Sequence, residues 1–165
     1  MEANRKKQLA LDTNVLIDLA EQKDWAEDFR EEFQKRGYAF RIGPTVVMEL
    51  EWLASFGEGP PRNHARVAAA RISRWKITPF ELFAVDQEIA EHFAQGLLDR
   101  NLIPDDEWND GVILAEASLS GIPLLVTSDK HLLEIDDDAL LLEFNQADLP
   151  TVRAVHPRRL LRALR

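Results

Sequence analysis

Four carboxylates in this chain stand where they could act together. Asp12 closes the apolar run Leu9-Ala10-Leu11, and Asp129 follows Leu124-Leu125-Val126-Thr127-Ser128. If both runs are strands of one parallel sheet, both acids leave it on the same edge. Each also sits where a helix cap or turn residue belongs, and capping alone accounts for either one taken singly. Asp110 precedes Ile113, Leu114 and Ala117 by three, four and seven positions, so it continues the apolar stripe of its helix toward the amino end. A first-turn Asp favoured by the helix dipole is the competing account. Glu49 falls one turn into a helix with Val46, Leu50 and Leu53 around it, whereas Glu51 projects in another direction.

Acids gathered in a partly desolvated cleft would repel one another by several kcal/mol unless cations neutralise them. The chain has no cysteine, and its four histidines, His64, His92, His131 and His156, include no i, i+4 pair. A metal must therefore sit mainly on oxygen, the ligation that Mg²⁺ and Mn²⁺ prefer. Such a centre can activate water for in-line attack on a phosphodiester and stabilise the leaving oxygen.

The elements needed to position these acids are legible. Gln8–Leu11 is a short strand, and Asn14 to Glu21 pairs Val15 with Leu19 and Leu16 with Ala20 at helical spacing. Trp25, Phe29 and Phe33 make one stripe of a helix over 25–36 that Gly37 ends, before a second strand over 38–42. Pro44 suits the first turn of the helix carrying Glu49. The segment from Phe56 to Pro61 reads as a break, followed by a basic helix over 63–76. An interrupted strand is expected over 77–85, and a helix capped by Asp86 should run to about Asp99. Pro104-Asp105-Asp106 opens the helix of Asp110, which Gly121 and Pro123 close. Strands at 124–127 and 151–155 and a terminal helix beginning at Pro157 complete the series. Alternating strands and helices predict an α/β fold: a three-layer α/β/α sandwich with a mainly parallel central sheet.

With 165 residues, 45% of them hydrophobic, the chain suits a single domain spanning 1–165 without disulfide or zinc staples. The polar segment Met1 to Lys7 offers neither a signal peptide nor a membrane span, so a cytoplasmic protein without membrane attachment is expected. Net charge is −9, but the acid is concentrated between Asp105 and Asp148. Basic residues cluster at Arg62, Arg66, Arg71, Arg74 and Lys76, and again at Arg153, Arg158, Arg159, Arg162 and Arg165. These are two candidate phosphate-contacting surfaces, the first of which serves equally well as a charged outer helix face.

The resemblance to a known family rests on four segments in order: Leu11-Asp12-Thr13-Asn14-Val15-Leu16-Ile17-Asp18, Thr45-Val46-Val47-Met48-Glu49-Leu50, Asn109-Asp110-Gly111-Val112-Ile113-Leu114-Ala115 and Leu125-Val126-Thr127-Ser128-Asp129-Lys130. Together they resemble the motifs of PIN domains, including the VapC-like ribonucleases. The resemblance implies a Mg²⁺- or Mn²⁺-dependent endoribonuclease in which Asp12, Glu49, Asp110 and Asp129 are the catalytic and metal-binding acids. Asp12 and Asp129 would ligate the principal ion directly, Asp110 directly or through water, and Glu49 through water or a second ion. RNA is the implied substrate. The toxin of a toxin-antitoxin pair, with a small antitoxin partner over the acidic cleft, is one form this takes, and a homodimer is common in the family.

Several neighbours have two readings. Asp106 is either an auxiliary ligand or an N-cap. Thr13, Asn14, Thr127 and Ser128 are candidates to orient the acids, and capping accounts for Asn14 equally well. Gly111 stands where the family often has Ala, at a small cost to the helix start. Asp136-Asp137-Asp138 reads as a solvated loop, with a cation site as the alternative. A haloacid-dehalogenase-like phosphatase would need a second acid at position 14, where this chain has Asn14. A PIN-like scaffold that binds RNA or protein without cutting is the remaining alternative, although all four acids are present.

Overall fold

The computed structural model describes residues 7–165; all of the segment read as excluding a leader, Lys7 excepted, lies outside the described residues. The elements run β1 (Gln8–Leu11), α1 (Thr13–Ala20), α2 (Asp24–Lys35), β2 (Ala39–Ile42), α3 (Pro44–Phe56), α4 (Gly59–Arg71), β3 (Ile77–Pro79), α5 (Ala84–Asp99), α6 (Trp108–Leu119), β4 (Leu124–Val126), α7 (Lys130–Leu133), α8 (Asp137–Gln146), β5 (Arg153–Val155) and α9 (Pro157–Ala163).

All five strands pair in parallel, in the order β3-β2-β1-β4-β5. The three apolar residues of β1, Leu9, Ala10 and Leu11, are all buried, although successive side chains point to opposite faces. Both faces of the central strand are therefore covered, as a parallel sheet wrapped by crossover helices requires. The expected three-layer α/β/α architecture is the observed one. β1 and β4 are neighbours, with Leu11 opposite Val126, and the backbone N–H of Asp12 extends the ladder by donating to Val126 O at 2.9 Å. The order of the sheet thus brings the ends of the first and fourth strands together.

Local chemistry shifts several boundaries from their expected places. The break after α3 is confined to Gly57 and Glu58, because Pro60 and Pro61 occupy the first turn of α4, where a missing N–H costs nothing. The third strand stops at Pro79; Phe80 N–H makes one more bond to Ile42 O at 2.9 Å before the chain leaves the sheet. Asp86 is not the cap of α5 but lies within its first turn, its Oδ2 accepting from Phe83 N–H at 3.2 Å. The helix of Asp110 begins at Trp108, later than Pro104-Asp105-Asp106. The acidic run 136–138 is not a loop throughout: Asp136 caps α8, accepting from Ala139 N–H at 2.9 Å, and Asp137 and Asp138 fill its first turn, where the helix dipole favours acid.

Candidate metal centre

Asp12 and Asp129 occupy the carboxyl ends of adjacent strands, and for both the two readings hold together. Asp12 caps α1, its Oδ1 accepting from Thr13 N–H at 2.8 Å. Asp129 caps α7, its Oδ1 accepting from His131 N–H at 2.9 Å. Capping holds each carboxylate at the sheet edge and aims it; it does not compete with a place in a site.

Asp12 is 2% exposed. Its Oδ2 accepts from Thr127 Oγ1 at 2.8 Å and from Asn14 Nδ2 at 2.9 Å. Asn14 continues across the strand gap, its Oδ1 accepting from Ser128 N–H at 2.9 Å and from Ser128 Oγ at 3.1 Å. Ser128 Oγ is also 2.9 Å from Asp18 Oδ2. Thr127 Oγ1 accepts from Asp129 N–H at 3.0 Å. Asn14, Thr127 and Ser128 therefore orient the acids, as their positions suggested. With Nδ2 also donating to Thr127 Oγ1 at 3.2 Å, the carboxamide of Asn14 bridges two donors and two acceptors, a task for which a second carboxylate at position 14 would lack donors. Glu49 reaches the same region from α3, its Oε1 accepting from Thr13 Oγ1 at 2.6 Å and its Oε2 from Asn109 Nδ2 at 3.4 Å.

Asp110 rises from the first turn of α6, 6% exposed, and its Oδ2 is buried without a hydrogen-bond partner among the described residues. Carboxylate oxygens of Glu107, Asp110 and Asp129 lie within 4.8 Å of one another. Asp12, Thr13, Asn14, Asp18, Glu49, Glu107, Asp110 and Asp129 share the lining of one open cavity of about 300 Å³. The four acids singled out in the sequence are thus brought together. Glu107 joins them instead of Asp106, which is exposed. The signal for Glu107 was its position three residues before Asp110, on the same side of the helix start.

Electrostatically the cluster is frustrated. Burial pushes Asp12 up from 3.8 to about 6; repulsion from Glu49 and Asp129 adds to this, and hydrogen bonds from Thr127 and Thr13 oppose it. Asp110 is driven well above the usual carboxylate range, first by burial, then by the charge of Asp12, the adjacent carboxyl of Glu107 and the charge of Asp129. An unpaired buried carboxylate oxygen facing other acids is costly. A hard divalent cation removes that cost, and an all-oxygen donor set fits Mg²⁺ or Mn²⁺.

A further acid, Glu116, gives no signal in the sequence because it lies within an apolar helix. It is fully buried and caps α3 from across the fold: Oε1 accepts from Thr45 N–H at 3.1 Å, and Oε2 from Thr45 Oγ1 at 2.9 Å and Gln87 Nε2 at 3.2 Å. The N-cap of α3 is Gly43, which has no side chain to do this. A Cβ at Gly43 would lie 2.9 Å from Glu116 Oε1. Glu116 thereby ties the helix bearing Glu49 to the helix bearing Asp110.

A parallel α/β sheet with an acidic, oxygen-only cluster beyond its carboxyl edge defines the class to which this protein belongs. The sequence model of the PIN domain matches residues 9–138, and the chain belongs to the PIN-domain family. Among curated protein sequences no significant match is found. Among solved structures, the VapBC2 complex from Rickettsia felis, bound to a DNA fragment from its promoter, contains a similar chain with a TM-score of 0.62 at 17% identity, covering 90% of this chain and 98% of that one. FitAcB from Neisseria gonorrhoeae gives a TM-score of 0.54 at 17% identity, covering 90% and 97%. At that identity the likeness establishes the fold.

Proposed function

We propose that this chain is a single-domain, divalent-metal-dependent endoribonuclease. The observation that carries the reading is the buried, partnerless Oδ2 of Asp110 amid the other carboxylates, an arrangement that makes physical sense once a cation is held there. Asp110, Asp129 and Glu107 offer the converging oxygens, Asp12 and Glu49 complete the cavity wall, and Thr13, Asn14, Thr127 and Ser128 hold the acids in place. Mg²⁺ or Mn²⁺ bound there supplies charge neutralisation for the phosphate and acidifies a water nucleophile. The chain's own part is to fix the carboxylates beforehand, so that little reorganisation is needed when the phosphodiester arrives.

Membership of the PIN family supports nuclease chemistry and RNA as substrate. The fold-level likeness to chains of VapBC2 and FitAcB supports a toxin held by a small antitoxin. An exposed apolar strip on α3, with Met48, Trp52 and Phe56 52%, 58% and 70% exposed, adjoins a groove of about 430 Å³ that also includes Glu49 and Asn109. Such a strip beside the acids suits a protein partner that covers them. Among the described residues no helix is long and apolar enough to cross a membrane.

The test is cleavage of end-labelled RNA with Mg²⁺ or Mn²⁺, with and without EDTA, comparing the wild type with Asp12→Asn. Cutting should require the ion and vanish in the variant while the fold survives; equal activity in both proteins refutes the assignment. Co-purification from the native operon tests for the antitoxin, and light scattering of the isolated chain tests for a homodimer.

A further inference from the structure

The two basic segments meet the sheet differently. Lys76 immediately precedes β3 and so stands at the amino edge, away from the carboxylates. Within α4, Arg62 and Arg66 are engaged at the end of α3, both donating to Ala54 O, at 3.4 and 3.1 Å. The C-terminal segment is placed differently. β5 pairs with β4, and Thr127 N–H donates to Val155 O at 2.9 Å. His156 therefore leaves the sheet beside Thr127, one strand spacing (about 4.8 Å) away, on the edge where Asp12 and Asp129 emerge.

Around His156 the chain has built a small cationic surface. The His156 ring lies 5.0 Å from that of Trp25, and the Arg158 guanidinium stands 5.4 Å from the same indole, an arrangement that restrains a long side chain while leaving its charge available. Arg158 and Arg162 are exposed and form no ion pair among the described residues. Asp18, in the cavity wall, and Glu21 are held by Lys23 at 2.8 and 3.3 Å, whereas Asp28, Glu31 and Glu32 of α2 line a groove with the far end of α9, at Leu161, Leu164 and Arg165. A chain of net charge −9 thus keeps two exposed guanidinium groups outside any ion pair among the described residues, on the helix that starts at the edge where its carboxylates would repel a polyanion.

We propose that Arg158 and Arg162, with Trp25 and His156 as the support of Arg158, form a subsite for the phosphate backbone of single-stranded RNA flanking the scissile bond. This inference rests on the nuclease reading and adds the path of the strand, which runs from the acidic cavity over the ends of β4 and β5 onto α9. The contacts are to phosphates, so the subsite confers affinity without base preference.

The test uses the full chain in an Asp12→Asn background, so that RNA stays intact, and measures fluorescence anisotropy of a labelled single-stranded RNA across a salt series. Arg158→Glu with Arg162→Glu is compared with Arg74→Glu with Lys76→Glu, an exposed pair at the amino edge that changes net charge equally. The α9 pair should bind at least about tenfold more weakly, with the salt slope reduced by about 1.4, or about 0.7 for each lost single-strand contact. Melting temperature should be unchanged in both pairs, and Mn²⁺-induced stabilisation should be unchanged when the same pairs are placed in the chain that retains Asp12. Equal weakening by the two pairs, or an unaltered slope in the α9 pair, overturns the subsite. If the wild type cleaves RNA and Asp12→Asn does not, while the α9 pair binds normally, the nuclease reading stands and this inference falls. If no ion-dependent cleavage occurs but the α9 pair loses RNA, the subsite stands without that chemistry.

Discussion

Replacing Asp12 by Asn preserves the side chain's shape and removes one buried negative charge, so in the absence of metal it should make the protein more stable. The Asp12 carboxyl titrates at about 6 in the fold against 3.8 ordinarily. The folded value is the higher one, so the contribution of this group is favourable below about 3.8 and is lost as pH rises through 6. The full loss is about 3 kcal/mol, because each tenfold change in proton affinity is worth about 1.4 kcal/mol. Asn retains an oxygen for Thr13 N–H but presents an NH₂ where Oδ2 accepts from Thr127 and Asn14, a mismatch worth about 1 kcal/mol. In EDTA at pH 7.5 the variant should therefore exceed the wild type by about 2 kcal/mol, and most of that advantage should disappear by pH 4.5. Urea unfolding of both proteins at pH 4.5, 6 and 7.5 measures it. Saturating Mn²⁺ should reverse the order, since an ion at a hundred times its Kd adds about 2.7 kcal/mol to the protein that binds it. A stability difference that does not vary with pH in EDTA, or a variant that gains as much from Mn²⁺ as the wild type, would refute the reasoning.

Three other outcomes are expected. Glu107→Gln keeps the side-chain shape but removes a converging charge, and should weaken Mn²⁺-induced thermal stabilisation about tenfold in apparent affinity; a titration matching that of the wild type would place Glu107 outside the centre. Glu116→Ala leaves Thr45 N–H and its hydroxyl without their acceptor and should cost about 2 kcal/mol; cleavage should fall as well, because Glu49 rides on the helix that Glu116 holds, and an unchanged kcat would mean α3 needs no such tie. Gly111→Ala, favourable by about 1 kcal/mol on helix propensity alone, should instead destabilise by about 1–3 kcal/mol, because the added Cβ would lie 2.9 Å from Ala94 Cα and Cβ; a raised unfolding midpoint would show that α5 can give way.

That last residue marks where the sequence is a poor guide. The four acids are legible because each is fixed by local pattern, at a strand end or in a helix turn, and the parallel order of the sheet then brings them together. Gly111 looks like a mild helix weakener, since nothing along the chain shows that α5 passes close enough for Ala94 to meet it. Glu116 is invisible for a similar reason: its partners, Thr45 and Gln87, are distant in sequence. Glu107 yields to Asp106 in the sequence because the expected helix start is misplaced, and an offset of one residue turns a side chain by about 100°, from the cavity into solvent. The prolines after α3 and the acidic run before α8 read as breaks, although both residue types also open helices. In the C-terminal segment composition announces positive charge, and only the pairing of β5 with β4 shows which edge receives it.

The placement of β4 between β1 and β5 has a consequence for how the protein comes into being. Asp12 emerges from the ribosome early, but Thr127, which comes to lie against it, follows 115 residues later, with Ser128 and Asp129 directly behind. A nascent or truncated chain can pair β1, β2 and β3 and still lack half of its acidic centre. Whatever chemistry that centre performs, synthesis must have passed β4 before it can begin, so the order of the strands makes completion of the centre a late event in the life of the chain.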